Sequence, residues 1–386
     1  MEAAIADAVV IGAGPAGCSA AIPLAEAGWR VVVFGRSRTD DDRIGESLSP
    51  GGSALLERLG LPARFLSDGH LVCHANASAW GDRDLAWHDF LGDPRGPGFH
   101  IDRPRFEAAL RARAVTAGAH LVASEAPRTA AREAGAWRLT ATNGHPPLIA
   151  RYVVDASGRA AHFARGQGAR RRVAWDQVAL VTFARAARAT DETFTLTEAV
   201  PEGFWYSAPV PGGRFALALF TDAAIHDCRA ARSADGFRAL LAAAPHTRRR
   251  LDAHAAVLDA PPRFVGAGSG WLEPAYGPGW VAAGDAAITY DPISAHGLTL
   301  ALRTGIDVAD AVLATAAGDD DALARYGARV ARGFDSYRRA ALRIYGRERR
   351  WLEAPYWQKR HALLSYSGML PEIDLHPMTG KQPVSL

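Results

Sequence analysis

Three glycines near the amino terminus have a spacing that suits the binding of a dinucleotide. Gly12, Gly14 and Gly17 form the pattern G-x-G-x-x-G between a short apolar run and a helical pattern. The first two glycines permit a tight turn and a close approach of backbone to pyrophosphate, and the third lets the helix pack against the strand. The helix N-terminus adds free N–H groups for the phosphates. We therefore predict a nucleotide site that comprises these glycines and the neighbouring Ala16.

A second candidate cofactor segment lies later in the chain, at residues 279–305. A short apolar run there ends at Gly284 and Asp285, and the carboxylate of Asp285 can bond ribityl or ribose hydroxyls. Gly297 follows a turn and opens a helical pattern whose N-terminus would face the same ligand. Two helix N-termini are then expected to hold one dinucleotide. The partial positive charge of such a terminus at the N1–O2 edge of a flavin would tune the electronic properties of the ring.

The acidic residue that usually holds the ribose after the second strand is missing. Its expected position is Gly35, followed by Arg36, and glycine offers no carboxylate for the ribose hydroxyls. Arg36 would suit a phosphorylated ribose, and hence NADP, but the later motifs favour FAD. Arg36 is therefore kept as a cofactor-binding candidate.

The segment RIGESLSP, residues 43–50, places a carboxylate and two serines before a helical pattern. Ser47 or Ser49 could cap that helix, and Ser47 is also a candidate cofactor contact. Glu46 has no evident structural task, and a carboxylate near a flavin can act as a base or orient a substrate amine. Glu46 is therefore a candidate catalytic residue, with a purely structural loop as the alternative.

Two side chains at predicted helix starts are further candidates. Arg103 follows Asp102, the expected N-cap, and a cation in the first turn opposes the helix dipole. This placement indicates a bound anion, such as a phosphate or the electron-rich flavin edge; the alternative is a solvent-facing arginine. His296 precedes Gly297, and its ordinary pKa suits proton transfer, although a histidine here could equally cap the helix.

Length and composition predict a globular protein of two closely joined domains. The 386 residues are too many for one simple core, and 48% of them are hydrophobic. Three cysteines make no disulfide framework and fit a reducing cytosol. The N-terminal segment has no basic region before its apolar stretch, and no apolar run is long enough to cross a bilayer. We predict a cytoplasmic protein with no membrane contact and no metal site.

In order and spacing these motifs resemble the FAD-dependent monooxygenases of the p-hydroxybenzoate hydroxylase superfamily, over nearly the whole chain. Within it, the segments RIGESLSP, SAWG, FHIDRPRF and DPISAHG are most similar to the tryptophan halogenase branch and its hydroxylating relatives. The greatest similarity is to maturation flavoproteins that oxygenate a tryptophan of a partner protein on the way to cysteine tryptophylquinone. The motifs that carry the superfamily resemblance are Gly12-x-Gly14-x-x-Gly17, Arg103, Asp155 to Arg159, and Gly284-Asp285 with Pro292.

The resemblance implies an α/β fold, in which a doubly wound, Rossmann-like FAD-binding domain joins an antiparallel-sheet substrate domain and a helical C-terminal segment. Apolar patterns predict strands at 177–186, 194–200, 203–210 and 214–220, with PGG as a hairpin turn. The predicted FAD-binding domain comprises 1–70, 99–170 and 262–320. The predicted substrate domain comprises 71–98 and 171–261, and the helical region comprises 321–386.

The segment GFWYSAPVP, residues 203–211, is close to the Trp-x-Trp-x-Ile-Pro signature of flavin-dependent halogenases but differs at three positions. Those enzymes pass hypohalous acid to substrate through a lysine, and this chain has none before Lys359. An arginine could not replace it, because a guanidinium stays protonated. Both observations argue against halogenation. Phe204 and Tyr206 are expected to fill the core, whereas Trp205, on the opposite face, is the expected pocket or partner contact; Tyr206 joins it in the candidate substrate pocket.

The resemblance implies an FAD-dependent monooxygenase that hydroxylates an electron-rich aromatic, an indole or tryptophan that a peptide can carry, through a flavin C4a-hydroperoxide. FAD would bind non-covalently and be reduced by NADH, NADPH or reduced flavin from a partner reductase. Pro292 and its loop would pack near the reacting edge of the flavin, and the protein would exclude water. The alternatives are a halogenase, an O₂-independent flavin reductase or dehydrogenase, and a non-catalytic partner-binding flavoprotein.

Residues 325–360 mix arginines with tyrosines and tryptophans. Acidic residues interrupt the positive charge and no nucleic-acid motif accompanies it, so we expect no nucleic-acid partner. The stretch could be a docking surface for a peptide or protein substrate, since Arg, Tyr and Trp are common interface anchors. The alternative is a solvated helix face.

Overall fold

The computed structural model describes residues 4–35, 45–124, 127, 129–140, 147–223, 231 and 233–366. In chain order its strands are β1 (Ala4–Ile11), β2 (Val31–Phe34), β3 (Ser47–Leu48), β4 (Leu71–Cys73), β5 (Ala75–Ala79), β6 (Ala86–Asp89), β7 (Gly98–His100), β8 (His120–Val122), β9 (Thr129–Glu133), β10 (Ala136–Thr140), β11 (Leu148–Asp155), β12 (Arg170–Trp175), β13 (Val178–Arg185), β14 (Phe194–Val200), β15 (Gly203–Val210), β16 (Arg214–Thr221), β17 (Val257–Leu258), β18 (Arg263–Gly266), β19 (Ser269–Glu273), β20 (Tyr276–Gly277), β21 (Trp280–Ala282) and β22 (Ile288–Thr289). Its α-helices are α1 (Pro15–Glu26), α2 (Gly52–Arg58), α3 (Pro62–Ser67), α4 (Arg103–Thr116), α5 (His162–Gly166), α6 (Ala234–Leu241), α7 (Pro245–Ala253), α8 (Gly297–Ala316), α9 (Ala322–Arg347) and α10 (Pro355–Tyr366).

A mostly parallel sheet forms the nucleotide-binding half of the fold. Its strand order is β20-β21-β11-β1-β2-β8, and the pairs between β21 and β8 are all parallel. The apolar run of β1 is buried in the middle of this sheet, as expected for a parallel strand covered on both faces. Helix α8 lies against α1, because the missing side chain of Gly305 lets its backbone approach Ala16. The α/β prediction is confirmed.

A second, mostly antiparallel sheet forms the other half. Its strand order is β17-β13-β16-β15-β14-β5-β6, and β18 pairs with β13 beside β17. The four strands predicted between 177 and 220 are β13 to β16, with a hairpin turn at the PGG segment. Since β18 begins at Arg263 and joins this sheet, the predicted domain boundary at 262 is too early. The other domain bounds stay a prediction.

The antiparallel sheet has a different core on each face, because side chains alternate along each strand. One face packs against the nucleotide-binding half and includes Phe204 and Phe220. The other face is covered by α6 and α7 and forms a separate cluster with Leu180, Trp205 and Phe237. Neighbouring residues of one strand therefore belong to different cores.

The C-terminal helices turn their aromatic side chains inward. The side chains of Tyr326, Tyr337, Tyr345, Tyr356 and Trp357 are all at most 1% exposed. The prediction that the aromatics of 325–360 form an exposed docking surface is therefore wrong for these five, whereas Trp351 is half-buried. The reason is that α9 is amphipathic and packs against α8, β19 and β20, and that α10 packs against α9. None of the described helices is long and apolar enough to span a bilayer.

Arg350 also has a structural task. Its guanidinium pairs with Glu348 at 2.6 Å, and the buried Glu348 carboxylate accepts a hydrogen bond from the backbone N–H of Gly81 at 2.7 Å. The indole of Trp80 donates to the Ile344 carbonyl at 2.7 Å. The SAWG segment therefore anchors the end of α9 to the antiparallel sheet.

The short strand β7 carries a buried histidine that should make stability depend on pH. His100 is fully buried, its Nε2 lies 2.9 Å from the Thr195 hydroxyl, and burial lowers its pKa to about 3. In the unfolded chain the imidazole of His100 binds a proton below about pH 6.5, whereas in the folded chain it does so only below about pH 3. This one group should lower the free energy of unfolding by about 1.4 kcal/mol for each pH unit within that window.

The variant His100→Gln tests this, because its amide can reach Thr195 and does not titrate. Between about pH 7 and about pH 5 the parent should lose about 2 kcal/mol more stability than the variant. Denaturant unfolding at both pH values measures the difference. Equal losses in the two proteins would show that His100 does not carry this pH dependence.

Candidate functional site

A cavity of about 760 Å³ lies between the carboxyl ends of the parallel strands and the antiparallel sheet. Ligands of doubly wound sheets bind at this edge, where successive turns leave a crevice. The turn after β1, the end of β2, the turn after β11 and Asp285 after β21 form one wall. Strands β13, β15, β16 and β18 form the opposite wall. One space is therefore shared by a nucleotide-binding edge and a sheet face.

The N-terminus of α1 opens on this cavity without a side-chain cap. Its N-cap is Gly14, and no side chain accepts the first N–H groups. A Cβ at Gly14 would meet nothing within 4 Å, so this position is open toward the cavity. Gly12 has φ +114°, and a Cβ there would lie 2.2 Å from the Ala156 carbonyl oxygen. The two glycines thus provide the turn and the open approach that the motif predicts.

Gly17 has a packing function rather than a place on the cavity wall. A Cβ at Gly17 would lie 1.8 Å from the carbonyl oxygen of Gly12. The glycine therefore lets α1 approach β1, which is the task of the third glycine in this motif. Ala16, the preceding residue, does line the cavity.

The N-terminus of α8 reaches the same cavity. Its N-cap is His296, which supplies no side-chain cap, and Gly297, Leu298 and Ala301 line the wall. Two helix N-termini with uncapped N–H groups thus face one space, which favours an anionic or electron-rich ligand.

An arginine–glutamate–arginine set from α4 lies along another part of the wall. Arg103 donates to Glu107 at 2.7 Å and to the Gly45 carbonyl at 2.8 Å, and Arg111 lies 3.6 Å from Glu107. The Nε of Arg103 is buried and has no hydrogen-bond partner among the described residues. A buried donor without a partner costs free energy. This set of Arg103, Glu107 and Arg111, the α4 cradle, therefore fits a phosphate-bearing cofactor that would accept a hydrogen bond from the Arg103 Nε.

The missing ribose-binding acid has a steric explanation. A Cβ at Gly35 would lie 2.3 Å from the Cβ of Ala13, so no acidic side chain fits where β2 meets the first glycine turn. Arg36 lies outside the described residues. Asp285 is half-exposed on the wall and lies 3.5 Å from Arg159. Its carboxylate could accept hydrogen bonds from the hydroxyl groups of a cofactor.

The sheet wall is built from rows of cross-strand neighbours. One row runs from Arg263 on β18 through Val181 and Ala218 to Tyr206 on β15. Arg263, Val181 and Tyr206 line the cavity. Three strand spacings of about 4.8 Å separate the two ends, or about 14 Å in total. The small residues between them leave room for a flat group against the sheet.

At the inner end of this row, the Tyr206 hydroxyl lies 2.8 Å from that of Ser47. Burial, and then the charge of Glu46, raise the pKa of Tyr206, so its phenol stays protonated. Glu46 is 2% exposed and accepts from the Gly45 N–H at 3.0 Å. Glu46 does not line the cavity, whereas Ser47 does. Ser47 does not cap α2, whose N-cap is Gly51.

Asp291 is a site residue that the sequence analysis missed. Its fully buried carboxylate accepts from the Trp175 indole and the Tyr345 hydroxyl, both at 2.8 Å, and from the Ile293 N–H at 2.9 Å. It borders the cavity beside Pro292. Asp291 thus fixes the turn that carries Pro292 into the start of α8. The Asp-Pro dipeptide, a turn signal, was the available clue.

Two further candidate residues, besides Gly17 and Glu46, lie away from the cavity wall. Trp205 is fully buried on the far face of the sheet, with its ring 4.9 Å from Phe237. Its assignment to the substrate pocket is therefore corrected, because strand alternation turns it toward α6. His296 does not line the cavity, and burial lowers its pKa, so its imidazole is neutral at physiological pH.

Two family profiles match the chain. The one described as tryptophan halogenase matches residues 93–375, and the one described as FAD binding domain matches residues 7–40. The first covers α4, strands β13 to β18 of the antiparallel sheet and α8, and the second covers the glycine turn. Residues of both cavity walls lie within these matches.

One relative and two solved structures are similar to this chain over more than nine-tenths of its length. A chain named as an FAD-dependent oxidoreductase, LodB of Marinomonas mediterranea, is 26% identical over 369 residues, which are 92% of this chain and 97% of that one. The flavin-dependent halogenase CmlS has a TM-score of 0.81 at 22% identity, covering 95% of this chain and 70% of its own. The peptidyl tryptophan dihydroxylase QhpG, essential for tryptophylquinone cofactor biogenesis, has a TM-score of 0.69 at 23% identity, covering 93% and 79%. Both structures share the fold.

Proposed function

Because the chain belongs to the tryptophan halogenase family, we propose that it is a monooxygenase that hydroxylates the indole ring of a tryptophan carried on a peptide. As a family member it is a flavin-dependent oxidoreductase, and its cofactor is FAD. The proposal concerns the substrate and the group transferred. It is supported by the similarity to a peptidyl tryptophan dihydroxylase and, above all, by the composition of the cavity wall.

The observation that carries the proposal is a cavity without a lysine amine. No lysine precedes residue 359, and the cavity wall consists of described residues among which there is no lysine. Lys359 is 55% exposed and pairs with Asp222 at 3.0 Å. A group that could carry halogen to the substrate is therefore absent from this wall. Oxygen transfer to the ring needs no such relay.

The residues of the wall have distinct tasks in this proposal. The glycine turn, the α4 cradle and the N-terminus of α8 would hold FAD, which when reduced supplies the oxygen-activating chemistry. Ala179, Val181 and Phe220 offer an apolar face for the indole. Tyr206, held protonated, would orient a polar substrate group by donating from its hydroxyl. Glu46 would act on Tyr206 through its charge, and Pro292 would help exclude water.

Flavin-dependent halogenation is the second candidate function. It is favoured by the family profile and by the greater structural similarity to CmlS. It requires a halide and a means of delivering oxidised halogen that this cavity wall does not provide through lysine. Reduced FAD would come from a partner reductase in either case, as we propose for this chain.

Products formed under heavy-isotope oxygen gas separate the two functions. The FAD-loaded protein, reduced flavin and a tryptophan-containing peptide should give a peptide that gains heavy oxygen, with the same yield whether chloride and bromide are present or absent. Mass spectrometry of the product measures both. Omission of oxygen is the control and should abolish the reaction.

Halogen in the product at turnover-level yield would reject hydroxylation and establish the second candidate. Conversion of a substrate without oxygen would reject both, in favour of a flavin-linked reductase or dehydrogenase. Binding of FAD without flavin reoxidation that depends on any indole or peptide tested would contradict a catalytic function of this kind.

A further inference from the structure

Four arginines contribute to the cavity wall, and three of them have acidic partners on the same wall. Arg103 and Arg111 share Glu107, and Arg159 lies 3.5 Å from Asp285. Arg263 forms no ion pair and no side-chain hydrogen bond within the described part of the chain. It is also the arginine of the set that comes from the antiparallel sheet rather than from the nucleotide-binding half.

Arg263 lies at the opening of the cavity. Arg263 and Val265 lie on the same face of β18, and both line the cavity wall. Phe264, between them, points to the opposite face and packs against the other core. Val265 is 43% exposed, which places this strand at the solvent side of the wall. Strand β18 pairs only with β13 among the described strands. A substrate that enters here meets an uncompensated positive charge before it reaches the apolar face.

The cross-strand row that contains Arg263 fixes the distance between its charge and the part of the cavity where the substrate ring would bind. Tyr206 closes the row at its buried end, about 14 Å away across three strand spacings. The small residues between the two ends form the proposed ring-binding face. A ligand in this space would thus place its ring between a neutral hydroxyl donor and a guanidinium.

We propose that Arg263 binds a carboxylate of the substrate, and that the substrate is a peptide with an acidic residue next to the target tryptophan. The inference rests on the proposed function and adds a sequence preference to it. A guanidinium is suited to this task, because its planar donors match a carboxylate in two parallel hydrogen bonds. The α-carboxylate of free tryptophan offers the same chemistry, and the experiment separates the two sources.

Binding to the FAD-loaded, oxidised protein tests the proposal without turnover. The probes are acetyl-Gly-Glu-Trp-Gly-amide, its Gln analogue, and free tryptophan. Calorimetry or the perturbation of flavin absorbance measures Kd. The parent should bind the Glu peptide about ten- to a hundred-fold more tightly than the Gln peptide, the range of one charge-assisted contact. Tighter binding of free tryptophan than of the Glu peptide would overturn the peptide assignment.

Substitution of Arg263 should remove this preference alone. In Arg263→Ala the two peptides should bind equally, Arg263→Lys should recover part of the difference, and Arg263→Glu should favour the Gln peptide. Arg138→Ala, which removes an exposed strand arginine outside the cavity, is the matched control and should keep the preference. The FAD affinity should be unchanged in all four variants.

Two further results would overturn the inference. One is equal binding, or no binding, of the Glu and Gln peptides by the parent. The other is a loss of FAD affinity in Arg263→Ala, which would assign Arg263 to the cofactor. Failure of the proposed function is distinguishable, because a Glu preference that depends on Arg263 could stand while no oxygen enters the peptide.

Discussion

Replacement of Gly14 by valine is expected to abolish FAD binding while the protein stays folded. The Cβ of the new residue would meet no atom of the chain within 4 Å, and the backbone at this N-cap is extended with a negative φ, so any residue can adopt it. The branched side chain would instead occupy the space in which the phosphates approach the N-terminus of α1. Loss of two charge-assisted hydrogen bonds costs about 3 kcal/mol or more, which is a factor of at least about a hundred in Kd.

Titration of the apoprotein with FAD, followed by flavin fluorescence, measures this loss. Gly166→Val is the matched control, because a Cβ at Gly166 also meets nothing and the residue lies outside the cavity wall. It should bind FAD as the parent does. Gly17→Val should instead impair folding, since its Cβ would overlap the Gly12 carbonyl. Normal FAD affinity in a folded Gly14→Val protein would contradict the placement of the phosphates at this turn.

Local patterns were sufficient to predict most of the fold. Strand β1, the glycine turn and α1 follow from a continuous apolar run and a spaced set of glycines. The predicted strands 194–200 and 203–210 agree with β14 and β15 at both ends, since turn residues separate them. The N-cap Asp102 accepts from the Arg105 N–H at 3.0 Å as predicted. These features depend on neighbours in the chain.

The direction in which side chains of the aromatic strand point could not be predicted. Both faces of β15 are buried, one against the cavity side and one against α6 and α7. A pattern of apolar residues therefore gives the alternation but not which set faces the ligand. Trp205 was assigned to the wrong face for this reason, and the hydroxyl of Tyr206 became interpretable only from its contact with Ser47.

Contacts between distant segments were also beyond the sequence. Arg263 seemed to belong to the nucleotide-binding half, and only its pairing with Val181 places it on the sheet wall. The aromatics of α9 and α10 looked like interface anchors because the same residue types fill cores and interfaces. Asp291 takes its partners from β12 and α9, which no local pattern around residue 291 could indicate.

Asp291 should be important for both stability and cofactor binding. The indole of Trp175 and the hydroxyl of Tyr345 both donate to one of its carboxylate oxygens, and the other accepts from the Ile293 backbone. The hydrogen bonds from Trp175 and Tyr345 are buried, and the one from Ile293 is partly buried. Removal of the acceptor would leave the Trp175 indole without it and the Tyr345 hydroxyl with only its longer contacts to Gln177 at 3.4 Å and Tyr356 at 3.3 Å. A buried donor that loses its acceptor costs more than the net value of the bond.

Asp291→Ala is therefore expected to lower the free energy of unfolding by about 3 kcal/mol, with about 1 to 3 kcal/mol for each orphaned donor. Tyr345→Phe should cost less, because it removes a donor and leaves the acceptor with Trp175 and Ile293. The double variant should cost less than the sum of the two, since the Tyr345 hydroxyl, which loses its 2.8 Å acceptor in Asp291→Ala, is absent from it. Denaturant unfolding of the four proteins measures this coupling.

FAD titration of Asp291→Ala should also show weaker binding, because the turn before α8 loses its anchor. Additive stability losses with unchanged FAD affinity would mean that Asp291 neither holds Tyr345 nor positions the Pro292 turn.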